Sequence, residues 1–316
     1  MQRVILTGEG YSSSQLEQLR CLNLDVTVRS TVTHRELDEL LPVLDGYVLG
    51  GDERLGESQL RRAKRLRVIA FAGTGYEEFV DPTAASALGI AVVCTPGVNS
   101  GAVAEHAVGL ILGVGRQLFA QNEAVKRSNA RLAVSSEVAD MTIGIVGMGA
   151  IGSRVARLLT KGFEASVVYA SRSRKPELER ELGMRRHELA SLLPLVDGLV
   201  LALPTTSETI GLLGRQALAL AKPGLFLVNV AGAPLVDPSA LYEALQAGTV
   251  SSAAFDGYWK EPVPQPIDDP YGFLSLPDSC FVVTPHTAAR TPSTWTRMLS
   301  AAVDNLIAVM SLGGRA

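Results

Sequence analysis

The run Gly147-Met148-Gly149-Ala150-Ile151-Gly152 follows an apolar, β-branched segment, Thr142–Val146, and opens a stretch with helical periodicity from Ile151 to about Lys161. Few local structures satisfy three glycines at that spacing between a strand and a helix. The first permits a tight turn, the second lets a pyrophosphate approach the backbone, and the third lets the helix lie close on its sheet. The helix start then offers backbone amides and a partial positive charge to phosphate oxygens. Such a turn predicts dinucleotide binding through Gly147, Gly149, Ala150, Ile151 and Gly152.

Short β-branched runs alternate with helix-length segments along the whole chain, the pattern of βαβ units and parallel sheets. Strands are expected at Val4–Thr7, Val26–Arg29, Tyr47–Leu49, Val68–Phe71 and Ala91–Cys94. A second series is expected at Thr142–Val146, Ser166–Ala170, Leu199–Leu203, Leu225–Val230, Ser252–Asp256 and Phe281–Thr284. Asp81-Pro82 and Asp237-Pro238 read as helix caps followed by proline at the first helical position. A long apolar helix is expected from about Ser100 to Leu118, and a last one from Pro292 to about Leu312. Five prolines between Glu261 and Pro277 (Pro262, Pro264, Pro266, Pro270, Pro277) call for a loop. At 316 residues the chain exceeds one ordinary core, and 47% hydrophobic residues suffice for two. The expected fold class is therefore α/β, with two Rossmann-like lobes, each a doubly wound parallel sheet.

Other classes are disfavoured. A net charge of -3 gives no general attraction to nucleic acid or anionic lipid. The basic run Arg61, Arg62, Lys64, Arg65, Arg67 precedes an apolar strand and reads as the solvated end of a helix. Cys21, Cys94 and Cys280 are odd in number and far apart, which suits neither a disulfide framework nor a structural zinc site. No His, Cys or acidic cluster has metal-ligand spacing. The first residues show no signal pattern, and the apolar stretch Ala102–Val114 is broken by Glu105 and His106. The expected protein is soluble and cytoplasmic, with a small-molecule substrate and neither nucleic acid nor membrane as partner.

A carboxylate at the end of the strand after the glycine turn usually binds the ribose 2′-OH of NAD. This sequence has no acid there; it reads Tyr169-Ala170-Ser171-Arg172-Ser173-Arg174-Lys175. Three cations and two hydroxyls suit a 2′-phosphate, with Ser171, Arg172 and Ser173 the candidate contacts and Arg172 foremost. The alternative is an exposed basic turn with no cofactor role. The expectation is NADP(H) over NAD(H), with NAD(H) still usable.

Several further stretches fall in a specific order: Gly73-Thr74-Gly75 with Asp81, Gly89-Ile90-Ala91-Val92 through Thr95-Pro96-Gly97-Val98-Asn99, and Val103-Ala104-Glu105. Then come Gly144 to Gly149, Leu203-Pro204-Thr205-Thr206 with Thr209, Val228-Asn229-Val230-Ala231, Asp256, Glu261-Pro262 and Thr284-Pro285-His286. Together they resemble the D-isomer-specific 2-hydroxyacid dehydrogenases, phosphoglycerate dehydrogenase among them. The resemblance implies a cofactor lobe, residues 100–285, inserted into a flavodoxin-like substrate lobe made of residues 1–99 and 286–316. It also implies a homodimer formed with help from the long helix after Gly97. By the same resemblance His286 is the acid/base and Glu261 orients its imidazole, setting the tautomer and favouring the protonated ring. Asp256 would fix the nicotinamide carboxamide. Leu203, Pro204, Thr209, Val230 and Ala231 would line the cofactor.

One position departs from the family. Where it has asparagine, two small residues, arginine, glycine, a variable residue, an apolar pair and aspartate, this chain has Asn229 to Asp237, with Gly232 in the arginine's place. That guanidinium would grip a substrate carboxylate and polarise the carbonyl. Three explanations compete, in this order: a substrate without the usual carboxylate; a replacement cation, Arg290 or Arg54, unless these are plain surface residues; or a non-catalytic NADP(H)-binding sensor or corepressor-like protein. Glycine turns at Gly50-Gly51 and Gly73-Thr74-Gly75 end strands and are candidate substrate contacts through their amides, or ordinary tight turns. Tyr258 and Trp259 either wall the pocket or are packing residues.

Overall fold

The computed structural model describes residues 1–128, 134–261 and 265–312. The expected loop prolines Pro262 and Pro264 lie outside the described residues. The chain divides into two compact units, one of Met1–Asn99 with Arg290–Ala316 and one of Ser100–Ala289.

In the first unit, strands β1 (Gln2–Thr7), β2 (Leu24–Arg29), β3 (Gly46–Leu49), β4 (Val68–Phe71) and β5 (Ala91–Val93) form a parallel sheet in the order β2-β1-β3-β4-β5. β3 and β4 are buried at every residue, as central strands covered on both faces must be. The helix Pro292–Leu312 contacts β3 and β4. It buries Met298, Leu299, Ala302, Val303, Leu306 and Met310, a helical stripe in which each large side chain stabilises by roughly 1.5–3 kcal/mol. Asp81 caps its helix by accepting from Ala84 N–H at 2.9 Å, as its sequence context predicts. The basic run is surface charge: Arg61 pairs with Glu57, Arg62 with Asp38 and Arg65 with Asp45.

In the second unit, strands β6 (Thr142–Val146), β7 (Ser166–Ala170), β8 (Arg185–Arg186), β9 (Gly198–Leu201), β10 (Leu225–Asn229), β11 (Val250–Asp256) and β12 (Phe281–Thr284) are parallel throughout. Their order is β12-β11-β10-β9-β6-β7-β8. Counted from β6, this is the dinucleotide-binding order, reversing direction between β6 and β9. The first unit has the flavodoxin-like order, reversing between β1 and β3. Both are α/β doubly wound sheets of Rossmann type.

Two expectations need correction. The single helix from Ser100 to Leu118 is two helices, Ser100–Gly115 and Leu118–Lys126. Arg116 N–H still reaches Leu112 O, but Gln117 N–H reaches only Val114 O, and Gln117 takes a left-handed φ of 55°. A residue in that conformation ends the i to i−4 ladder. The return to the first unit, expected at His286, falls after Ala289. The reason is local: Thr287 N–H and Ala288 N–H are bonded to Asp256, which holds the turn to the second sheet.

Beneath the Gly50-Gly51 turn of the first unit, Glu53 is buried and accepts from the Thr7 hydroxyl at 3.0 Å. Burial holds its carboxyl above the ordinary glutamate range. A raised pKa in the folded state means the folded chain binds the extra proton. Stability is therefore highest below the ordinary glutamate pKa and declines as pH rises through the elevated one. Glu53→Gln is expected to flatten that decline, read from urea unfolding midpoints at acidic and neutral pH; equal pH slopes in both proteins would contradict it.

Candidate active site

β6 ends in the glycine turn. Gly147 has φ +97°, and a Cβ there would strike the carbonyl oxygen of Ala202, just beyond β9. A Cβ on Gly152 would strike the carbonyl of Gly147, so the helix can approach the turn only without one. Gly149 is different: a Cβ there would meet nothing within 4 Å. It caps the helix Ala150–Phe163, and no side-chain cap hydrogen bond is made there among the described residues. An open space over uncapped amides at a helix start is what a pyrophosphate requires, so these residues fit a dinucleotide.

The basic turn after β7 is more selective than its composition indicates. Arg174 is committed to Glu179, with an Nε bond of 2.8 Å and an ion pair of 2.7 Å. The Ser171 hydroxyl turns back to donate to Ser173 O at 2.6 Å. Arg186, from β8, donates to Ser171 O and pairs with Glu188. Arg172 is exposed and makes no ion pair among the described residues. Of the turn's two arginines, only Arg172 is uncommitted.

After β9, Thr209 knits its loop: its hydroxyl donates to Pro204 O at 2.8 Å and accepts from Thr206 N–H at 2.7 Å. Leu203 and Pro204 lie past the strand, which stops at Leu201. After β10, buried Asn229 locks the following turn, donating to Gly232 O and accepting from Ala231 N–H. Val230 and Ala231 thus sit in a rigid corner at the same edge of the sheet.

At the ends of β11 and β12 the structure joins Asp256, Glu261 and His286. Asp256 is 4% exposed. Its Oδ1 accepts from the Thr284 hydroxyl at 2.6 Å and Thr287 N–H at 2.8 Å, and its Oδ2 accepts from Ala288 N–H at 2.9 Å. These bonds shape the turn that carries His286, whose φ is +54°. A non-glycine residue in that region costs on the order of 1–3 kcal/mol and persists only where its surroundings fix it. Because Thr284 spends its one hydroxyl proton on Asp256, His106 Nε2, 3.1 Å away, must donate to the Thr284 oxygen.

The His286 Nδ1 lies 2.9 Å from Glu261 Oε2 and 3.2 Å from Oε1. Glu261 is itself oriented by Tyr258 N–H, which donates to Oε1 at 3.1 Å. Gly257, with φ +111°, makes this possible, since a Cβ there would come within 2.5 Å of the Glu261 oxygen. Nδ1 thus faces the carboxylate, and Nε2 points to the other side of the ring.

Other assignments resolve plainly. Tyr258 and Trp259 are packing residues: Tyr258 is 6% exposed, and Trp259 stacks with Phe273 and donates from Nε1 to Val236 O at 2.9 Å. In the first unit, Gly50 and Gly51 line a groove of about 1010 Å³ with Arg54, Arg290 and Trp295, whereas Gly73, Thr74 and Gly75 are not among its lining residues. Arg290 lies 3.5 Å from Asp52 within that unit. Among the described residues no group could hold a metal ion, and no helix is long and apolar enough to cross a membrane.

Replacing Asp256 by asparagine sets an amide among three donors. Asp256→Asn is expected to cost about 2 kcal/mol in urea unfolding, the scale of a lost charge-assisted bond in a buried site. His286→Ala, which relieves no buried polar debt, should stay within about 1 kcal/mol of the parent. Equal stability of Asp256→Asn and parent would refute the anchoring role.

Comparison with known proteins bears on what this edge of the sheet does. Residues 108–288 match the model of the D-isomer specific 2-hydroxyacid dehydrogenase NAD binding domain. Glyoxylate/hydroxypyruvate reductase B of Yersinia enterocolitica is 35% identical over 281 residues, covering 87% of this chain and 84% of its own. D-3-phosphoglycerate dehydrogenase of Archaeoglobus fulgidus is 33% identical over 289 residues, 91% of this chain, which spans about half (53%) of that longer protein. The crystal structure of the TT0316 protein of Thermus thermophilus superposes with a TM-score of 0.82 at 32% identity, covering 98% of this chain and 97% of the other. A dinucleotide turn at the switch point, two parallel sheets of the orders described and these relatives agree: the chain belongs to the D-isomer specific 2-hydroxyacid dehydrogenase family, oxidoreductases acting on hydroxyl and keto groups with a nicotinamide cofactor.

Proposed function

We propose that this protein is an NADPH-dependent carbonyl reductase in which His286 is the proton donor and Gly232 stands where a substrate-binding arginine would otherwise be. The observation that carries the reading is the His286–Glu261 pair, 2.9 Å apart, on a turn anchored by Asp256. Nothing in packing calls for that pair: the His286 side chain is 56% exposed and its backbone is strained. Such strain at an exposed titratable residue is typical of a working site.

The bound nicotinamide supplies the hydride. The chain's own residues do the rest. Glu261 accepts from Nδ1–H, which leaves Nε2 to carry the proton delivered to the carbonyl oxygen. In oxidation the same nitrogen takes the proton back. Gly147, Gly149 and the amides of Ala150, Ile151 and Gly152 bind the pyrophosphate. Leu203, Pro204, Thr209, Val230 and Ala231 form the wall beside it, and Asp256 acts chiefly through the turn it anchors. Arg172 binds the 2′-phosphate, supported by its lack of an ion-pair partner and by the absence of an acid at the end of β7. Ser171 and Ser173 shape that turn.

Gly50 and Gly51 are candidate small-molecule contacts in the first-unit groove, and Gly73, Thr74 and Gly75, outside its lining, are candidates past the end of β4. A homodimer is supported by exposed apolar side chains at Leu118, Val125 and Val134. A cytoplasmic location suits three cysteines that remain thiols.

NADPH consumption with glyoxylate, hydroxypyruvate, pyruvate and neutral ketones tests the reading. His286→Ala is expected to lose about 10²–10⁴ of kcat. Arg172→Ala is expected to raise KM for NADPH about tenfold and to leave KM for NADH nearly unchanged, as one charge-assisted phosphate contact predicts. Tight NADPH binding without turnover of any carbonyl would favour a sensor or corepressor-like protein instead, and a clear NADH preference would remove the role of Arg172.

A further inference from the structure

The backbone at Gly232 has φ −76° and ψ 137°, extended geometry that any residue adopts. Conformation therefore does not demand glycine there, but space does. A Cβ on Gly232 would overlap the Thr205 hydroxyl and come within 3.2 Å of the Thr205 Cβ. The turn cannot easily retreat. Asn229, 1% exposed, holds Gly232 O at 3.1 Å and Ala231 N–H at 3.0 Å, and Pro234 closes the other side. The Thr205 hydroxyl occupies the volume that a side chain at 232 would need. It is half-buried and has no hydrogen-bond partner among the described residues.

The electrostatics of this edge run the same way. Besides the His286 imidazole, the segments following β6, β9, β10, β11 and β12, residues 147–149, 202–211, 230–236, 257–261 and 285–289, contain one lysine and no arginine. That is Lys260, and its ammonium is held by Asp268 at 2.5 Å. Glu261 adds a carboxylate. A substrate carboxylate brought here would lose water and gain from these segments no cation beyond the imidazolium that must give up its proton to the carbonyl oxygen, which is costly, whereas a hydroxyl would find a neutral partner able to donate or accept.

We propose that Thr205 is the specificity-determining residue of the pocket: its hydroxyl, seated in the space left by Gly232, reads the group beside the reacting carbonyl and selects neutral hydroxy-carbonyl compounds over 2-keto acids. The proposal rests on the reductase reading above. For hydroxyacetone, hydride from NADPH adds to the carbonyl carbon and the proton from His286 to its oxygen, giving propane-1,2-diol and NADP⁺. Pyruvate differs only in carrying a carboxylate where hydroxyacetone carries a hydroxymethyl group.

Steady-state rates with these two substrates, NADPH as reductant, give the test. The parent is expected to favour hydroxyacetone in kcat/KM by about tenfold or more, the scale of one polar group correctly paired in a pocket. Thr205→Val should lower kcat/KM for hydroxyacetone about tenfold, chiefly through KM, and change pyruvate by less than about twofold. Thr205→Ala with Gly232→Arg should reverse the preference, while Gly232→Arg alone does so less. Thermal melts read the pairing without turnover: Gly232→Ala should lower Tm in the parent and lower it less beside Thr205→Ala. Pyruvate preferred by the parent, or Thr205→Val affecting both substrates equally, overturns the proposal and leaves the reductase reading standing. No turnover of either substrate overturns the proposal, and the reductase reading falls with it only when the wider carbonyl panel is also inert. Equal Tm losses in the two backgrounds overturn the steric pairing.

Discussion

One buried carboxylate holds the His286 end of the second unit together. Asp256 ends β11, and its two oxygens gather the hydroxyl of Thr284 and the amides of Thr287 and Ala288, all from β12 or the turn beyond it. That turn carries His286 with a left-handed backbone, which an unanchored chain would relax. Glu261 reaches the imidazole only because Gly257 lacks a Cβ and because Tyr258 N–H steers the carboxylate. Position, tautomer and ring orientation thus follow from bonds made to the backbone around the histidine, with His106 completing the set through Thr284.

The same edge of the sheet gathers the other functional turns. In a parallel sheet every strand ends on one side, so loops far apart in sequence are lined up by strand order alone. From β6 outward this brings the Gly147 turn, the Thr205–Thr209 loop, the Asn229–Gly232 corner and the His286 turn into a row. The Asn229–Gly232 corner and the His286 turn are each fixed by a buried polar residue beneath them, Asn229 and Asp256. Rigidity here comes from Asn229 and Asp256 rather than from bulk.

Charge allocation decides what composition leaves open. The turn after β7 carries Arg172, Arg174 and Lys175, of which the sequence reading puts Arg172 foremost for a phosphate. Glu179 claims Arg174, and its carboxyl is held below the ordinary range by Arg174 first and the Tyr169 hydroxyl next. Arg172 and Lys175 remain without an ion pair among the described residues, and Arg172 is the more exposed of the two. In the first unit Arg290 sits beside Asp52, whereas Arg54 lines the same groove with no ion pair among the described residues.

Local pattern was enough for the elements themselves. β6, β7 and β12 begin and end where β-branched runs do, the last helix spans Pro292–Leu312, and Asp81 and Asp237 cap as their contexts indicate. The glycine turn was legible because Gly147 and Gly152 each meet a short-range steric demand, while Gly149 leaves the helix start open. The break at Gln117 was not, since it depends on one residue's φ within an apolar run that reads as continuous helix. Nor could the chain alone reveal that Asp256 anchors the His286 turn, that Trp259 packs rather than lines a pocket, or that Thr205 fills the space beside Gly232. Those partners lie tens of residues apart, and only the stacking of parallel strands brings them within bonding distance. Sequence periodicity dictates which residues form strands and helices because that is a nearest-neighbour matter of sterics and burial; which polar atoms meet is settled by tertiary register.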